Sequence, residues 1–423
     1  MSARPATRVR VPGDKSISHR ALICAALASG RSRIRNILPS ADVHSTAGVL
    51  RALGADVPSL TNDVRIGGRG LGGLAATAES LDCGNSGTTA RLMSGVLSAH
   101  PFASRLVGDA SLSRRPMGRV ARPLTTMGAR FAFEHGEHLP MVITGGPLDS
   151  IAFSSPTASA QVKSAILFAG LVARVPVSVT EPVRSRDHTE RMLSALGVDV
   201  RSLGSEASLE PAPELAAFQL DVPADPSSAA FLAGLAAAGG VGDGASLELT
   251  DVALNPTRLG FFRVLRDMGA DVSWETEREE CGEPVGTISV APRGLHAVHI
   301  REEQVPAMID ELPLLACLAA VADGETEIRG ASELRVKESD RIAAVVQNLR
   351  AVGAHAEELS DGLRVRGAGR SLGGAVQAHG DHRLAMAFGV LGALSGNSIG
   401  VDDRECVSVS YPGFWTDLAR VTS

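Results

Sequence analysis

LRALGADV, at residues 50–57, has the form L-x-x-φ-G-x-x-φ, where φ is apolar and x is any residue. The same form recurs at residues 124–131, 193–200, 265–272 and 349–356, so the five copies begin 69 to 84 residues apart. In each copy the glycine falls where helices commonly end in the left-handed conformation, and an apolar and polar alternation follows it. The pattern therefore predicts a helix that feeds a strand, five times along the chain.

The spacing of these copies predicts the fold. A period near 70 residues fits six times into 423 residues, so the sixth copy should be degenerate or split between the two chain ends, and we favour the split. Residues 231–240 and 314–322 have no polar face and are expected to be buried helices. The predicted fold class is α/β: two lobes, each of three repeated βαβ-type units, with buried parallel helices covered by mixed sheets, an inverse α/β barrel.

A lobe boundary is expected at residues 220–228, LDVPADPSS, where two prolines and two aspartates precede an apolar run. The first lobe should cover residues 14–224. The second should combine residues 1–13 with residues 225–423, so the chain would cross between the lobes twice. Such a two-strand hinge is expected to allow a ligand cleft between the lobes to close.

Composition limits the function. A net charge of −6 with 3% aromatic residues argues against a nucleic-acid partner, and no apolar run approaches the ~20 residues of a membrane span. The five scattered cysteines contain no C-x-x-C pair and fit a reducing cytoplasm. The pairs His135/His138 and His296/His299 have no third ligand nearby, so no metal site is predicted.

The first cluster of candidate site residues is VPGDKSISHR at residues 11–20, directly before an apolar run. It should begin a helix, where Lys15 and Arg20 are unfavourable beside the helix dipole unless an anion lies near them. A phosphate site and a solvated basic helix start both remain open. CGNSGTTAR at residues 83–91 leads into another helix and is either an anion-binding turn or a plain cap. Cys83 there is weighed as a nucleophile or, more commonly, a buried thiol.

Further polar segments follow in both predicted lobes. Arginines occur in RRPMGR at residues 114–119 and RSRDH at residues 184–188, and TASAQVKS at residues 157–164 opens a helix. In the second lobe Asp310 stands at an apolar helix start, as a raised-pKa acid or as a helix cap. Lys337 and Arg341 are expected on one helical face, with an anion between them and Glu338 available as an acid. Taken singly, the arginine loops and the segment 157–164 are more often solvated loops or caps, and helix capping is the commoner role for a residue placed as Asp310 is.

Six of these segments, in this order, resemble the 5-enolpyruvylshikimate 3-phosphate (EPSP) synthase family, the 3-phosphoshikimate 1-carboxyvinyltransferases. They are PGDKSISHR, GNSGTT, RRPM, ASAQ, RVKESDR and DHR. The resemblance covers nearly the whole chain and implies the two-lobe fold of three repeats each. It also implies a cytoplasmic, monomeric enzyme of aromatic amino-acid biosynthesis whose partners are two small-molecule substrates.

The resemblance implies the following site residues. Shikimate 3-phosphate would be held by Lys15, Ser16, Arg20, Ser159, Ala160, Gln161, Arg186, Asp310 and Lys337. Phosphoenolpyruvate would be held by Lys15, Gly87, Arg115, Gln161, Arg341, His382 and Arg383. Catalysis would rest on Asp310 as base, Glu338 as acid and Lys15 in shared proton transfer. No metal and no organic cofactor would take part.

The implied reaction adds the 5-hydroxyl of shikimate 3-phosphate to C2 of phosphoenolpyruvate, protonates C3 and then eliminates phosphate from the tetrahedral adduct. The chain departs from some family members at four positions, Ala160, Arg186, Glu333 and Val409. This combination resembles the members that are insensitive to the inhibitor glyphosate, whereas Gly87 argues for sensitivity. Two rival functions are enolpyruvyl transfer to UDP-N-acetylglucosamine, which would need a reactive cysteine, and a non-catalytic anion-binding scaffold.

Overall fold

The structure is a computed structural model that describes residues 6–242 and 245–423. The chain divides into two compact units, Gly13–Val222 with Glu279–Glu283, and Met1–Pro12 with Pro223–Arg278 and Pro284–Ser423. The predicted boundaries were 13/14 and 224/225. We call the first unit the N-unit and the second the C-unit. The prediction left the short segment Glu279–Glu283 out of the N-unit. That segment belongs to the N-unit because Arg191 donates to the carbonyl of Gly282 at 2.9 Å.

The elements alternate between strands and helices through most of the chain. Up to residue 221 they are β1 (Thr7–Val9), α1 (Lys15–Leu27), β2 (Arg31–Arg35), α2 (Ala41–Ala52), β3 (Asp63–Gly67), β4 (Leu81–Asp82), α3 (Gly87–Ser98), β5 (Ala103–Val107), α4 (Gly118–Thr126), β6 (Arg130–Phe133), β7 (Met141–Thr144), β8 (Ile151–Ser154), α5 (Ala160–Ala173), β9 (Val177–Thr180), α6 (His188–Ala195), β10 (Val200–Leu203), β11 (Glu206–Leu209) and β12 (Gln219–Asp221).

The remaining elements continue the alternation. They are α7 (Pro226–Ala237), β13 (Leu247–Ala253), α8 (Gly260–Asp267), β14 (Asp271–Glu280), β15 (Glu283–Ala291), β16 (His299–Ile300), α9 (Leu312–Ala319), β17 (Glu325–Ile328), α10 (Arg341–Ala351), β18 (His355–Leu359), β19 (Gly362–Arg366), β20 (Gly373–Val376), α11 (His382–Ala393), β21 (Ser398–Val401) and α12 (Phe414–Thr422).

Four sheets share one strand order and reveal the repeat as βαβαββ. These are β4-β5-β7-β6, β8-β9-β11-β10, β1-β13-β15-β14 and β16-β17-β19-β18. In each, the first two strands are parallel and the last two form a hairpin. In three of the sheets one α-helix separates the first two strands in sequence, whereas the N-unit as well as α7 lies between β1 and β13. Strand β1 pairs with β13, so the N-terminal strand lies in a sheet of the C-unit.

The two remaining sheets, β12-β2-β3 and β20-β21, are incomplete forms of the same repeat. In the first, β12 supplies the parallel partner of β2 from the far end of the N-unit. In the last, β20, α11, β21 and α12 run continuously to residue 422. The prediction that the sixth copy is split between the chain ends is wrong, because β1 belongs to the sheet β1-β13-β15-β14 and the sixth copy is shortened instead.

All five glycines of the L-x-x-φ-G-x-x-φ pattern have positive φ, between 86° and 117°, as the sequence predicted. After each helix the amide that follows the glycine donates to the carbonyl of the pattern's leucine, as Ala55 does to Leu50 at 3.0 Å. This bond satisfies a carbonyl that the helix end leaves open. In three copies an arginine adds a second tie, as Arg51 does by donating to the carbonyl of Val57 at 2.6 Å.

The small-residue helices are buried, as predicted. Every residue of α7 and of α9 is buried, although both helices end three residues before the predicted limits of 240 and 322. Small residues permit close packing of neighbouring helices: a Cβ on Gly95 of α3 would lie 2.0 Å from the carbonyl oxygen of Ala165 in α5. Within the described residues, no helix is both long and apolar enough to cross a membrane.

Candidate active site

The N-terminus of α1 begins the candidate site of the N-unit. The buried Asp14 caps this helix by accepting from the amide of Ile17 at 2.8 Å. Lys15 follows at the first helical position and its ammonium lies 3.0 Å from the carboxylate of Asp42 at the start of α2. Sequence reasoning missed Asp42, because its 27-residue separation from Lys15 gives no local signal. The pair holds a cation at a helix N-terminus, where the helix dipole favours an anion.

Arg20 lies one turn further along α1 and is 3% exposed. Its guanidinium donates to Thr189 at 2.6 Å, to Ser164 at 2.8 Å and to the carbonyl of Ser16 at 2.9 Å. Burial lowers the pKa of Arg20 to about 10, although Glu190 and Asp14 act in the opposite direction. The arginine therefore stays charged at neutral pH in a site that would gain from an anion.

A second group of polar side chains that could bind an anion lies where α3 and α5 begin. Ser86 caps α3 and Ser159 caps α5, at 3.1 and 3.4 Å from the amides they accept from. Gln161 accepts from Arg91 at 2.7 Å and donates to Thr88 at 3.0 Å, so it links the two helix starts.

Gly87 opens α3 beneath two guanidinium groups. A Cβ at this position would lie 2.8 Å from Nη1 of Arg91 and 3.3 Å from Nη1 of Arg115. Arg115 also donates to Asn85 at 2.8 Å. The structure thus brings together Gly87, Arg115 and Gln161, and it adds Arg91, the last residue of the segment CGNSGTTAR.

Arg341 is the centre of the candidate site of the C-unit. This arginine is 1% exposed, and it donates to Asp381 at 2.8 and 3.1 Å and to Glu338 at 2.6 Å. Asp310 lies 3.4 Å away. Burial alone would lower the pKa of Arg341, but these three carboxylates outweigh it and raise the pKa.

The expectation that Lys337 and Arg341 share a helical face is wrong. Lys337 is extended at the end of the 3-10 helix Ser332–Val336, whereas Arg341 is the first residue of α10. The two cations approach each other through Asp310 instead, 3.9 Å from the Lys337 ammonium and 3.4 Å from the Arg341 guanidinium. The alternative that Asp310 caps a helix is also wrong, because α9 begins at Leu312 with Glu311 at the cap position.

The start of α11 supplies Asp381, His382 and Arg383, all buried. Asp381 caps this helix by accepting from the amide of Arg383 at 2.9 Å while it holds Arg341. Arg383 lies 3.6 Å from Glu311 and over the ring of Phe231, 5.8 Å from its centre. One carboxylate therefore orients the arginine of α10 and the helix start that carries another arginine.

Cys83 is fully buried, and burial raises its pKa. A thiol that stays protonated is a poor nucleophile, so the structure favours the buried-thiol interpretation. The site residues that the resemblance implied divide into two sets, one in each unit. The N-unit holds Lys15, Ser16, Arg20, Gly87, Arg115, Ser159, Ala160, Gln161 and Arg186, and the C-unit holds Asp310, Lys337, Glu338, Arg341, His382 and Arg383.

A family model for EPSP synthase (3-phosphoshikimate 1-carboxyvinyltransferase) matches residues 2–418. The chain belongs to the EPSP synthase family. It is 47% identical to the 3-phosphoshikimate 1-carboxyvinyltransferase of a Sulfurihydrogenibium species, over 98% of this chain and 96% of the relative. It is 50% identical to the enzyme of that name from Pelotomaculum thermopropionicum, with the same coverage.

The fold agrees with the family. A solved structure of EPSP synthase from Acinetobacter baumannii superposes with a TM-score of 0.85 at 43% identity, covering 98% of this chain and 95% of that one. The predicted two-lobe α/β fold class is therefore confirmed, as is the assignment to the family that the six motifs indicated.

Proposed function

We propose that this chain transfers the enolpyruvyl group of phosphoenolpyruvate to the 5-hydroxyl of shikimate 3-phosphate and releases phosphate. The family match over residues 2–418 carries this proposal. The reaction needs cations that neutralise two phosphates and one carboxylate of the substrates, and protein groups that move protons. The residues assigned in the two units include such cations and two carboxylates, Asp310 and Glu338.

Each substrate is assigned to a set of residues, and Lys15 and Gln161 belong to both sets. Shikimate 3-phosphate is assigned to Lys15, Ser16, Arg20, Ser159, Ala160, Gln161, Arg186, Asp310 and Lys337. Phosphoenolpyruvate is assigned to Lys15, Gly87, Arg115, Gln161, Arg341, His382 and Arg383. The preset guanidinium groups of Arg20 and Arg341 support the assignment, because ordering them before binding reduces the entropy lost when an anion arrives.

Asp310 is assigned the role of base. Its carboxylate lies near two cations, 3.4 Å from Arg341 and 3.9 Å from Lys337, which favour the ionised form that a base requires. It takes the proton of the 5-hydroxyl while that oxygen bonds to C2 of phosphoenolpyruvate. Lys15 is assigned a share in proton transfer, since its side chain stays partly exposed in the ion pair with Asp42.

Glu338 is assigned the role of acid toward C3. It is bound to Arg341 at 2.6 Å and must take up a proton before it donates one. An anionic substrate that pairs with Arg341 would compete for the guanidinium and release Glu338 for protonation. Elimination then returns the C3 proton and breaks the bond between C2 and the phosphate oxygen.

Phosphate release from phosphoenolpyruvate that depends strictly on shikimate 3-phosphate tests the function. Release that depends on UDP-N-acetylglucosamine instead would favour the related transferase. If phosphate were released with neither of the two acceptors, transfer to both would be excluded. An isotope label in the bridging oxygen of phosphoenolpyruvate tests the route: it should leave with phosphate, whereas label kept in the organic product would indicate phosphoryl transfer.

We also propose that the enzyme is a cytoplasmic monomer that binds neither nucleic acid nor membrane. The net charge of −6 and the absence of a predicted disulfide framework support this setting. Sedimentation at catalytic concentration tests it: a single species near 43.8 kDa is expected, and a heavier one would contradict the monomer.

A further inference from the structure

Glu181 is a buried carboxylate that neither the motifs nor the assigned substrate contacts include. It follows directly after β9, and its side chain is 1% exposed. One oxygen accepts from the backbone amide of Ser159 at 2.7 Å. The hydroxyl of Ser185 donates to both oxygens, at 2.8 and 2.7 Å, and the amide of Ser185 lies 3.3 Å away. A single carboxylate thus joins the start of α5 to the segment that precedes α6.

Both segments carry residues assigned to shikimate 3-phosphate. Ser159 caps α5 and is followed by Ala160 and Gln161, while Ser185 is followed by Arg186. The backbone bond to Ser159 fixes where α5 starts, and therefore where its free amides and its first side chains lie. The two bonds from Ser185 fix the segment just before α6 in the same way.

Lys163 balances the charge of Glu181 from the first turn of α5. Its ammonium lies 2.8 Å from Glu181 and 2.8 Å from Glu190, and all three side chains are at most 3% exposed. Burial lowers the pKa of Lys163, but the two glutamates outweigh it and raise the pKa, while burial raises the pKa of Glu190. Glu190 therefore shares the lysine with Glu181, yet no bond from Ser159 or Ser185 reaches it among those described.

We propose that Glu181 is a positioning residue for shikimate 3-phosphate, which holds the segments of Ser159–Gln161 and Arg186 in register through hydrogen bonds that only a carboxylate can accept together. This inference rests on the proposed function. Glutamine has nearly the same shape, but its amide nitrogen cannot accept from the donors that Ser159, Ser185 and Lys163 direct at the carboxylate, so at least one bond must be lost. A misplaced binding segment weakens substrate binding and leaves proton transfer by Asp310 and Glu338 intact.

The test compares Glu181→Gln with Glu190→Gln, a matched control that removes one buried carboxylate from the same lysine. Steady-state kinetics of Glu181→Gln should show the KM for shikimate 3-phosphate raised by about tenfold or more, with kcat within about threefold. The KM for phosphoenolpyruvate should rise less, because Gln161 is the one residue of these segments that is also assigned to it. Glu190→Gln should lose similar stability, with the KM for shikimate 3-phosphate changed by less than about threefold. Arg20, whose charge Glu190 favours, keeps its hydrogen bonds to Thr189, Ser164 and Ser16 in this variant. Equal KM values in both variants, or a fall in kcat alone for Glu181→Gln, would overturn the proposal.

Deuterium uptake gives a readout that is independent of activity. Peptides that cover residues 158–163 and 183–187 should exchange faster in Glu181→Gln and at the parent rate in Glu190→Gln. Parent-like uptake in Glu181→Gln would also overturn the proposal. If Glu181→Gln does not fold, Glu181→Asp, which keeps the charge and shortens the reach, should show the same differences at smaller size. Failure of the proposed function would be distinct, since the parent protein itself would be inactive while the uptake comparison still decided the role of Glu181.

Discussion

At the scale of single residues, the two carboxylates beside Arg341 are the sharpest test of the chemistry. We expect Asp310→Asn and Glu338→Gln each to lower kcat by about a hundredfold or more, with both KM values within a few-fold, because proton transfer is lost while the cations remain. Steady-state kinetics measures this. Glu303→Gln is a control, since that exposed carboxylate pairs with its neighbour Arg301 and should leave kcat unchanged. Near-normal turnover in either variant would show that its assigned role is wrong.

Gly87 tests how closely the phosphoenolpyruvate site is packed. A methyl group there must displace the ends of Arg91 and Arg115, which are 2.8 and 3.3 Å from its position. Crowding by one carbon costs about 1–3 kcal/mol, so Gly87→Ala should weaken a filling ligand by about tenfold or more. Glyphosate is longer than phosphoenolpyruvate, so its inhibition constant should rise far more than the KM. Paired inhibition curves decide this, and equal losses would show that Gly87 does not line the site.

At the scale of elements, α2 and its C-terminal turn contain two glycines that separate two effects of a methyl group. Gly54 ends the helix with a φ of 86°, whereas Gly48 lies inside it, where an added Cβ would meet no described atom within 4 Å. Gly54→Ala should lower the free energy of unfolding by about 1–2 kcal/mol, because alanine is strained at positive φ. Gly48→Ala should raise it by about 0.5–1 kcal/mol, because it favours the helix.

Urea denaturation of the two α2 variants measures both changes. Shifts of opposite sign are expected relative to the parent protein. If both variants shifted the midpoint in the same direction, positive φ would not be the reason why the repeat has glycine at this position.

At the scale of the whole molecule, the N-unit should lose stability as the pH falls below about 6.5 because of His19. Burial, and then the charges of Lys15 and Arg20, hold the pKa of His19 well below its ordinary value. The unfolded chain therefore binds a proton at His19 that the folded chain does not. The free energy of unfolding should fall by about 1.4 kcal/mol per pH unit from this residue, until the pH reaches its folded pKa.

His19→Asn isolates this contribution, because asparagine can still bond to Thr46, whose hydroxyl lies 2.7 Å from His19. Between about pH 7 and pH 4 the denaturation midpoint should fall less steeply with decreasing pH in the variant, because unfolding takes up about one proton fewer. His44→Asn changes an exposed histidine and should keep the parent slope. A parent-like slope in His19→Asn would mean that another group causes the acid sensitivity.

Features that depend on local conformation could be predicted from the residues alone. The five glycines could be located because a helix that ends in the left-handed region favours glycine, whatever surrounds it. The buried helices α7 and α9 could be recognised because a segment with no polar face has to be covered. The six motifs indicated the family, because their residues stand in a fixed order along the chain.

Which polar groups meet depends on how distant segments of the chain fold together. Lys15 with Asp42, Gln161 with Arg91, and Glu181 with Ser159 are 27, 70 and 22 residues apart, so no local pattern predicts them. The placement of Lys337 went wrong for the same reason, since a spacing of four residues predicts a shared face only if a helix continues through it. Side-chain pairing depends on how the repeats pack, and no single segment of the sequence predicts that packing.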